Sequence, residues 1–101
     1  MPYRVIFAPE ALTQLLQLYQ YVADKASPDT AARFTDAIVS HCEGLADFPL
    51  RGAPREDLRP GLRTLAFRGR VTIAYAVGLA DVAILGVFYG GVDFEAVLGE
   101  D

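Results

Sequence analysis

Residues 3–7, Tyr-Arg-Val-Ile-Phe, alternate in polarity and predict a short strand. The period then changes. Leu12, Leu15, Leu16, Tyr19, Val22, Ala23 and Ala26 recur at helical spacing, and at about 100° per residue they form one apolar arc. Glu10, Thr13, Gln14, Gln17, Asp24 and Lys25 lie off that arc. Tyr21 lies off it too, so it is expected to be exposed or to meet a partner. Pro9 suits the first turn of this helix, where its missing N–H costs nothing, and Glu10 favours the N-terminal dipole. Ser27-Pro28-Asp29 then restarts a helix, with Ser27 as N-cap and Pro28 at the first helical position. Ala31, Phe34, Ile38, Cys42 and Leu45 share one stripe of this second helix, which is expected to run to about Ala46. So short a break between two amphipathic helices predicts an antiparallel hairpin.

Pro49, Gly52, Pro54, Pro60 and Gly61 mark residues 47–61 as a loop. Three strand-like runs follow: Leu62–Phe67, residues 70–77 and residues 82–89. In the second, Val71, Ile73, Tyr75 and Val77 share a face. The turns at Arg68-Gly69 and at residues 78–81 are short, so the three runs form an antiparallel meander. Gly90-Gly91 ends it, and residues 93–98 add a short helix capped by Asp93. The expected fold is therefore α+β in the order β-α-α-β-β-β, with the helical hairpin on one face of a small, mainly antiparallel sheet. The first strand joins at an edge or beside a later strand.

With 101 residues, one domain spanning 1–101 is expected. Residues 71–92 carry one charge, Asp81, and are long enough to cross a bilayer. The turn at residues 78–81 and the β-branched residues on either side of it favour two buried strands, so no membrane association is expected. A single cysteine, Cys42, excludes an intramolecular disulfide, and no signal peptide is visible, which together point to the cytoplasm. The net charge of −4 is unevenly spread. Residues 51–70 hold six arginines against two acids, a net +4, while the remainder carries −8. Such a balance argues against non-specific coating of nucleic acid and leaves one basic, anion-facing segment.

Catalytic equipment is sparse. His41 and Cys42 are adjacent on a helix and point apart, without the clustered ligands a metal needs, so no metal and no cofactor are expected. No phosphate loop occurs. Arg51, Arg55, Arg59 and Arg63 recur every four residues, but Pro54 and Pro60 break any helical stripe. They belong either to a solvated loop paired with the acidic body or to an anion- or partner-binding edge. Metal-free RNA cleavage also needs a base and an acid. Near these arginines only Tyr75, Tyr89, Glu56 and Asp57 carry exchangeable protons.

Several segments, in order, resemble the ParE toxins of the RelE/ParE superfamily. They are Tyr3-Arg-Val-Ile-Phe-Ala-Pro-Glu-Ala, Ala26-Ser-Pro with Ala32-Arg33-Phe34, and Phe48-Pro-Leu-Arg-Gly. Further along come Asp57-Leu-Arg-Pro-Gly-Leu-Arg63, Ile73-Ala-Tyr75 and Val87-Phe-Tyr-Gly-Gly91. The resemblance implies the toxin of a bacterial type II toxin–antitoxin system, held inactive by a cognate antitoxin of ribbon–helix–helix type. DNA would then be met only indirectly, through the antitoxin complex. It further implies inhibition of DNA gyrase by protein–protein binding, with Arg59, Arg63, Arg68, Arg70 and Tyr89 facing the target. The RelE side of the superfamily implies instead a ribosome-dependent mRNA endoribonuclease, in which Arg63, Arg70 and Tyr89 are the matching positions. A third reading is a detoxified, antitoxin-binding member, since relatives often carry arginine where Val92 stands. On the antitoxin side, Leu18 and Tyr21 on the outer helix face are expected to form a contact patch together with Arg55. An open sheet edge is a further candidate, because it invites a partner's strand.

Overall fold

The computed structural model describes residues 2–90 and 94–99, so Val92 and the proposed Asp93 cap lie outside the described residues. Strand β1 (Arg4–Phe7) leads into α1 (Pro9–Lys25) and α2 (Pro28–Glu43). Pro9 stands at the start of α1, and the Ser27 side chain accepts a 3.1 Å hydrogen bond from the Thr30 amide, capping α2 as its sequence requires. The α2 helix stops earlier than its apolar stripe suggests: Gly44–Ala46 tighten into a 3₁₀ turn, which still buries Leu45. Residues 47–61 are not all loop. Ala53–Pro54 form a two-residue strand β2, ahead of β3 (Leu62–Phe67), β4 (Val71–Val77), β5 (Asp81–Tyr89) and α3 (Phe94–Leu98).

These strands make one five-stranded sheet in the order β1-β5-β4-β3-β2. All neighbours are antiparallel except β1, which runs parallel to β5 at the edge, from Arg4 opposite Asp81 to Phe7 opposite Ile84. Between β3 and β4 the chain turns through Arg68 (φ 53°) and Gly69 (φ 69°). Two consecutive positive φ values give the turn whose twist matches that of the strands it joins.

The main core lies between the hairpin and one face of the sheet. Val71, Ile73 and Tyr75 of β4 pack there with Ile38, Cys42 and Leu45, all essentially inaccessible. Each such aliphatic side chain contributes about 1.5–3 kcal/mol through burial. On α1 the buried row is Ala11, Leu15 and Leu18 with Val22 beside it. Leu12 and Leu16, expected inside, are 53% and 57% exposed. The helix has more apolar positions than its contact with α2 and β5 covers, and the contact selects the row that includes the small Ala11. The opposite sheet face is not bare either. Leu62, Ala74 and Phe88 form a second small core, closed by Leu98 of α3. No helix among the described residues is long and apolar enough to cross a membrane.

Burial pushes the Cys42 thiol up to about 12, so it remains a packed, protonated side chain. His41 shifts the other way, lowered from 6.5 by burial and then by the nearby Arg51, with a backbone hydrogen bond to Ala66 opposing. Its ring packs on Phe67 at 5.1 Å. The unfolded chain therefore takes up the proton at a higher pH than the folded one. Stability from His41 is complete above about pH 6.5 and is lost as the pH falls toward the folded value. Denaturation midpoints are expected to drop between pH 7 and 5, and His41→Gln is expected to flatten that slope.

Candidate partner-binding groove and the arginine segment

Strand β1 ends opposite Ile84, and the chain leaves the sheet to begin α1. Beyond that point β5 has no neighbour on that side among the described residues. The same stretch contains a bulge. Ala74 pairs with Gly86 but Tyr75 pairs with Ile84, leaving Leu85 as the extra residue. The bulge reverses the strand's phase, so that Ile84 and Val87 both face the hairpin while Leu85 and Phe88 face α3. On the open edge the Val87 amide donates a 2.7 Å hydrogen bond to Oε1 of Gln14. By the two-residue alternation of a strand, the Val87 carbonyl and the Tyr89 amide are directed to the same edge.

A groove of about 540 Å³ runs along this edge. Helix α1 supplies Gln14, Gln17, Leu18 and Tyr21, β5 supplies Val87, Phe88 and Tyr89, and α3 supplies Val97. A second hollow of about 290 Å³ continues it past Phe88 to Glu10 and Arg59. Leu18, expected on the outer surface, is only 5% exposed and lies in the lining. Tyr21 is 50% exposed and meets the Tyr89 ring at 5.9 Å. From Tyr89 the aromatic contacts continue through Phe34 at 6.0 Å to Phe67 at a further 6.1 Å. Gln14 and Val97 were not legible as site residues. The single hint was Gly86, a glycine inside a strand pattern, which commonly marks a bulge.

The arginines divide into two groups. Arg55 donates to both carboxylate oxygens of Asp57 and to Glu95 of α3. These bonds, Asp57 first, hold its guanidinium above the ordinary arginine range and draw Asp57 below the usual carboxylate value. Arg59 donates from Nε to the Leu98 carbonyl at 2.8 Å. Arg63 donates from Nη1 to the carbonyls of Leu50 (3.1 Å) and Gly52 (2.6 Å). Three of the series thus tie loop and terminal helix to the sheet. Arg51, Arg68 and Arg70 differ: all three are exposed, the last two at the β3–β4 turn, with no carboxylate partner among the described residues. Arg68 stacks on Phe67 with its guanidinium 4.8 Å from the ring centroid.

Arg70 and Tyr89 are brought together at one end of the sheet, where the Gly90 amide donates to the Arg70 carbonyl. Arg63 is not with them. It pairs with Tyr75, four residues along β4 from the Val71–Tyr89 pair, a separation of about 13 Å. Tyr75 is fully buried, and its hydroxyl accepts a 2.7 Å hydrogen bond from the Gly52 amide. Glu56 accepts from the Gly61 amide. Among the described residues no cluster of side chains suits a metal ion.

A family model described as the ParE toxin of the type II toxin–antitoxin system parDE matches residues 5–94. Toxin ParE3 of Caulobacter vibrioides is 31% identical over 97 residues, covering 96% of each chain. A structure from the chromosomal ParDE system of P. aeruginosa superposes with a TM-score of 0.77 at 21% identity, over 87% of this chain and 96% of that one. A chain of the RelBE2 toxin–antitoxin complex of Mycobacterium tuberculosis superposes at 0.68 with 27% identity, covering 88% and 99%.

Proposed function

This chain belongs to the ParE toxin family of type II toxin–antitoxin systems, and from that premise we propose that it arrests growth by binding DNA gyrase and is neutralised by a cognate antitoxin lying along the open edge of β5. The observation that carries the antitoxin part is the edge itself: a stretch of β5 with no strand neighbour on that side among the described residues, between two helices and above an apolar lining, suits an extended apolar segment. The two solved relatives, both from toxin–antitoxin systems, support such a partner. The antitoxin is of ribbon–helix–helix type, so the toxin meets DNA only through it, and the complex is cytoplasmic. The gyrase part rests on the ParE membership together with the division of the arginines. Arg68 is held at positive φ, which is unfavourable for a side-chain-bearing residue, and its guanidinium stacks on Phe67 without a carboxylate partner among the described residues. Its charge and that of Arg70 are thereby free for a target.

The reading is non-catalytic. The three positions that match the RelE ribonucleases are split, and the Arg63 guanidinium is occupied by two carbonyls. Induced expression tests the proposal. Growth should stop, co-expression of the adjacent antitoxin gene should restore it, and mRNA should show no ribosome-phased cuts. A-site cuts would establish the ribonuclease reading instead.

A further inference from the structure

The edge of β5 already carries a short parallel ladder. Strand β1 runs parallel to β5, and the ladder ends where the Ala8 amide donates a 2.9 Å hydrogen bond to the Ile84 carbonyl. The Ala8 carbonyl does not carry it on, because it accepts from the Leu12 amide as α1 begins. Further along that helix a side chain returns to the strand: Oε1 of Gln14 accepts from the Val87 amide at 2.7 Å. Gly86 leaves room for it, since a Cβ there would stand 3.3 Å from that oxygen and 2.6 Å from the Phe88 ring. Gln14 thus supplies the oxygen that a longer β1 would have placed there. Beyond it, the groups directed to the edge are the Val87 carbonyl and the Tyr89 amide.

We propose that the antitoxin's apolar segment adds to the sheet as a strand parallel to β5, and that Gln14 stays in place and sets its direction and register. This rests on the groove reading above. In a parallel pair one residue donates to the carbonyl of position i and accepts from the amide of position i+2, which Val87 and Tyr89 provide. In an antiparallel pair the residue opposite Val87 needs both of its groups, and its carbonyl would meet Gln14 Oε1, oxygen against oxygen. The walls set the composition. Leu18 and Tyr21 of α1 stand on one face of the added strand, Phe88 and Val97 on the other. A strand covered on both faces is apolar at successive positions, not at alternate ones. From Val87 to Gly90 the edge is about 10 Å long, so about three residues pair. Those ahead of them lie in the second hollow, beside Leu85 and Phe88 on the α3 side of the sheet. Running parallel, the segment ends at Gly90, whose amide is bonded to the Arg70 carbonyl, beside the turn that the proposed function assigns to the target.

Intermolecular Overhauser contacts, measured in the complex of the full chain with purified antitoxin, test the assignment. Earlier residues of the apolar segment should contact the Leu85 methyls, and later ones the Tyr21 and Tyr89 rings. The reverse order overturns the proposal while leaving the groove as the antitoxin's site. Contacts found only away from the β5 edge defeat the groove reading, and the strand's direction with it. Gln14 gives a second measurement. Gln14→Glu keeps an oxygen to accept from the Val87 amide and should bind antitoxin as wild type does. Gln14→Ala leaves that amide without an acceptor once the segment has excluded water, and should weaken binding about five- to tenfold. Unchanged or tighter binding by Gln14→Ala overturns the proposal, because an antitoxin that must displace Gln14 gains from its removal.

Discussion

Tyr75→Ala is expected to leave little folded protein at 37 °C. Tyr75 is fully buried in the main core, and large aromatic truncations at such sites cost about 3–5 kcal/mol through lost burial and the cavity left behind. The change also removes the Tyr75 hydroxyl that the buried Gly52 amide donates to, at about 1–3 kcal/mol more. A domain of this size has about 5–15 kcal/mol in total. Tyr75→Phe separates the two contributions. It keeps the ring and loses only the hydrogen bond, so urea denaturation should show a folded protein weakened by about 1–3 kcal/mol. If Tyr75→Phe matched wild type, the hydroxyl would not be holding the loop that carries Phe48 and Leu50.

The second large effect concerns the groove. Tyr21 and Val97 stand on its two walls, each about half exposed, so changing them opens no core cavity. Tyr21→Ala combined with Val97→Asp removes an aromatic anchor and places a charge against an apolar segment. Affinity for purified antitoxin, measured by calorimetry, is expected to fall at least about 100-fold. The melting temperature should change little, because neither side chain is buried. Unchanged affinity would move the antitoxin off the β5 edge.

How far these features were legible in the chain depends on how many sides of an element are buried. Strand β4 was clear because Val71, Ile73, Tyr75 and Val77 all face one core. Strand β5 was clear as a strand but not in its facing, since the bulge at Leu85 shifts the alternation, and no count of apolar residues shows where a phase slips. On α1 the arc held both the buried Leu15 and the exposed Leu12 and Leu16, because the partner's shape, not the helix, selects the buried row. The second core under α3 rests on Leu62, Ala74, Phe88 and Leu98, widely separated residues that announce nothing as neighbours in sequence. The arginines were legible as a basic segment but not in direction. Arg55, Arg59 and Arg63 bond surface carboxylates and carbonyls, of which Glu95, the Leu98 carbonyl and the Gly52 carbonyl are brought near by the fold, whereas Arg68 and Arg70 stay exposed at the turn.

Inhibition of gyrase by protein contact alone, as proposed, is read by the supercoiling of relaxed plasmid by purified gyrase titrated with this protein. Inhibition should be complete near stoichiometric toxin and should be reversed by adding antitoxin. Full supercoiling in the presence of excess folded toxin would overturn the proposal.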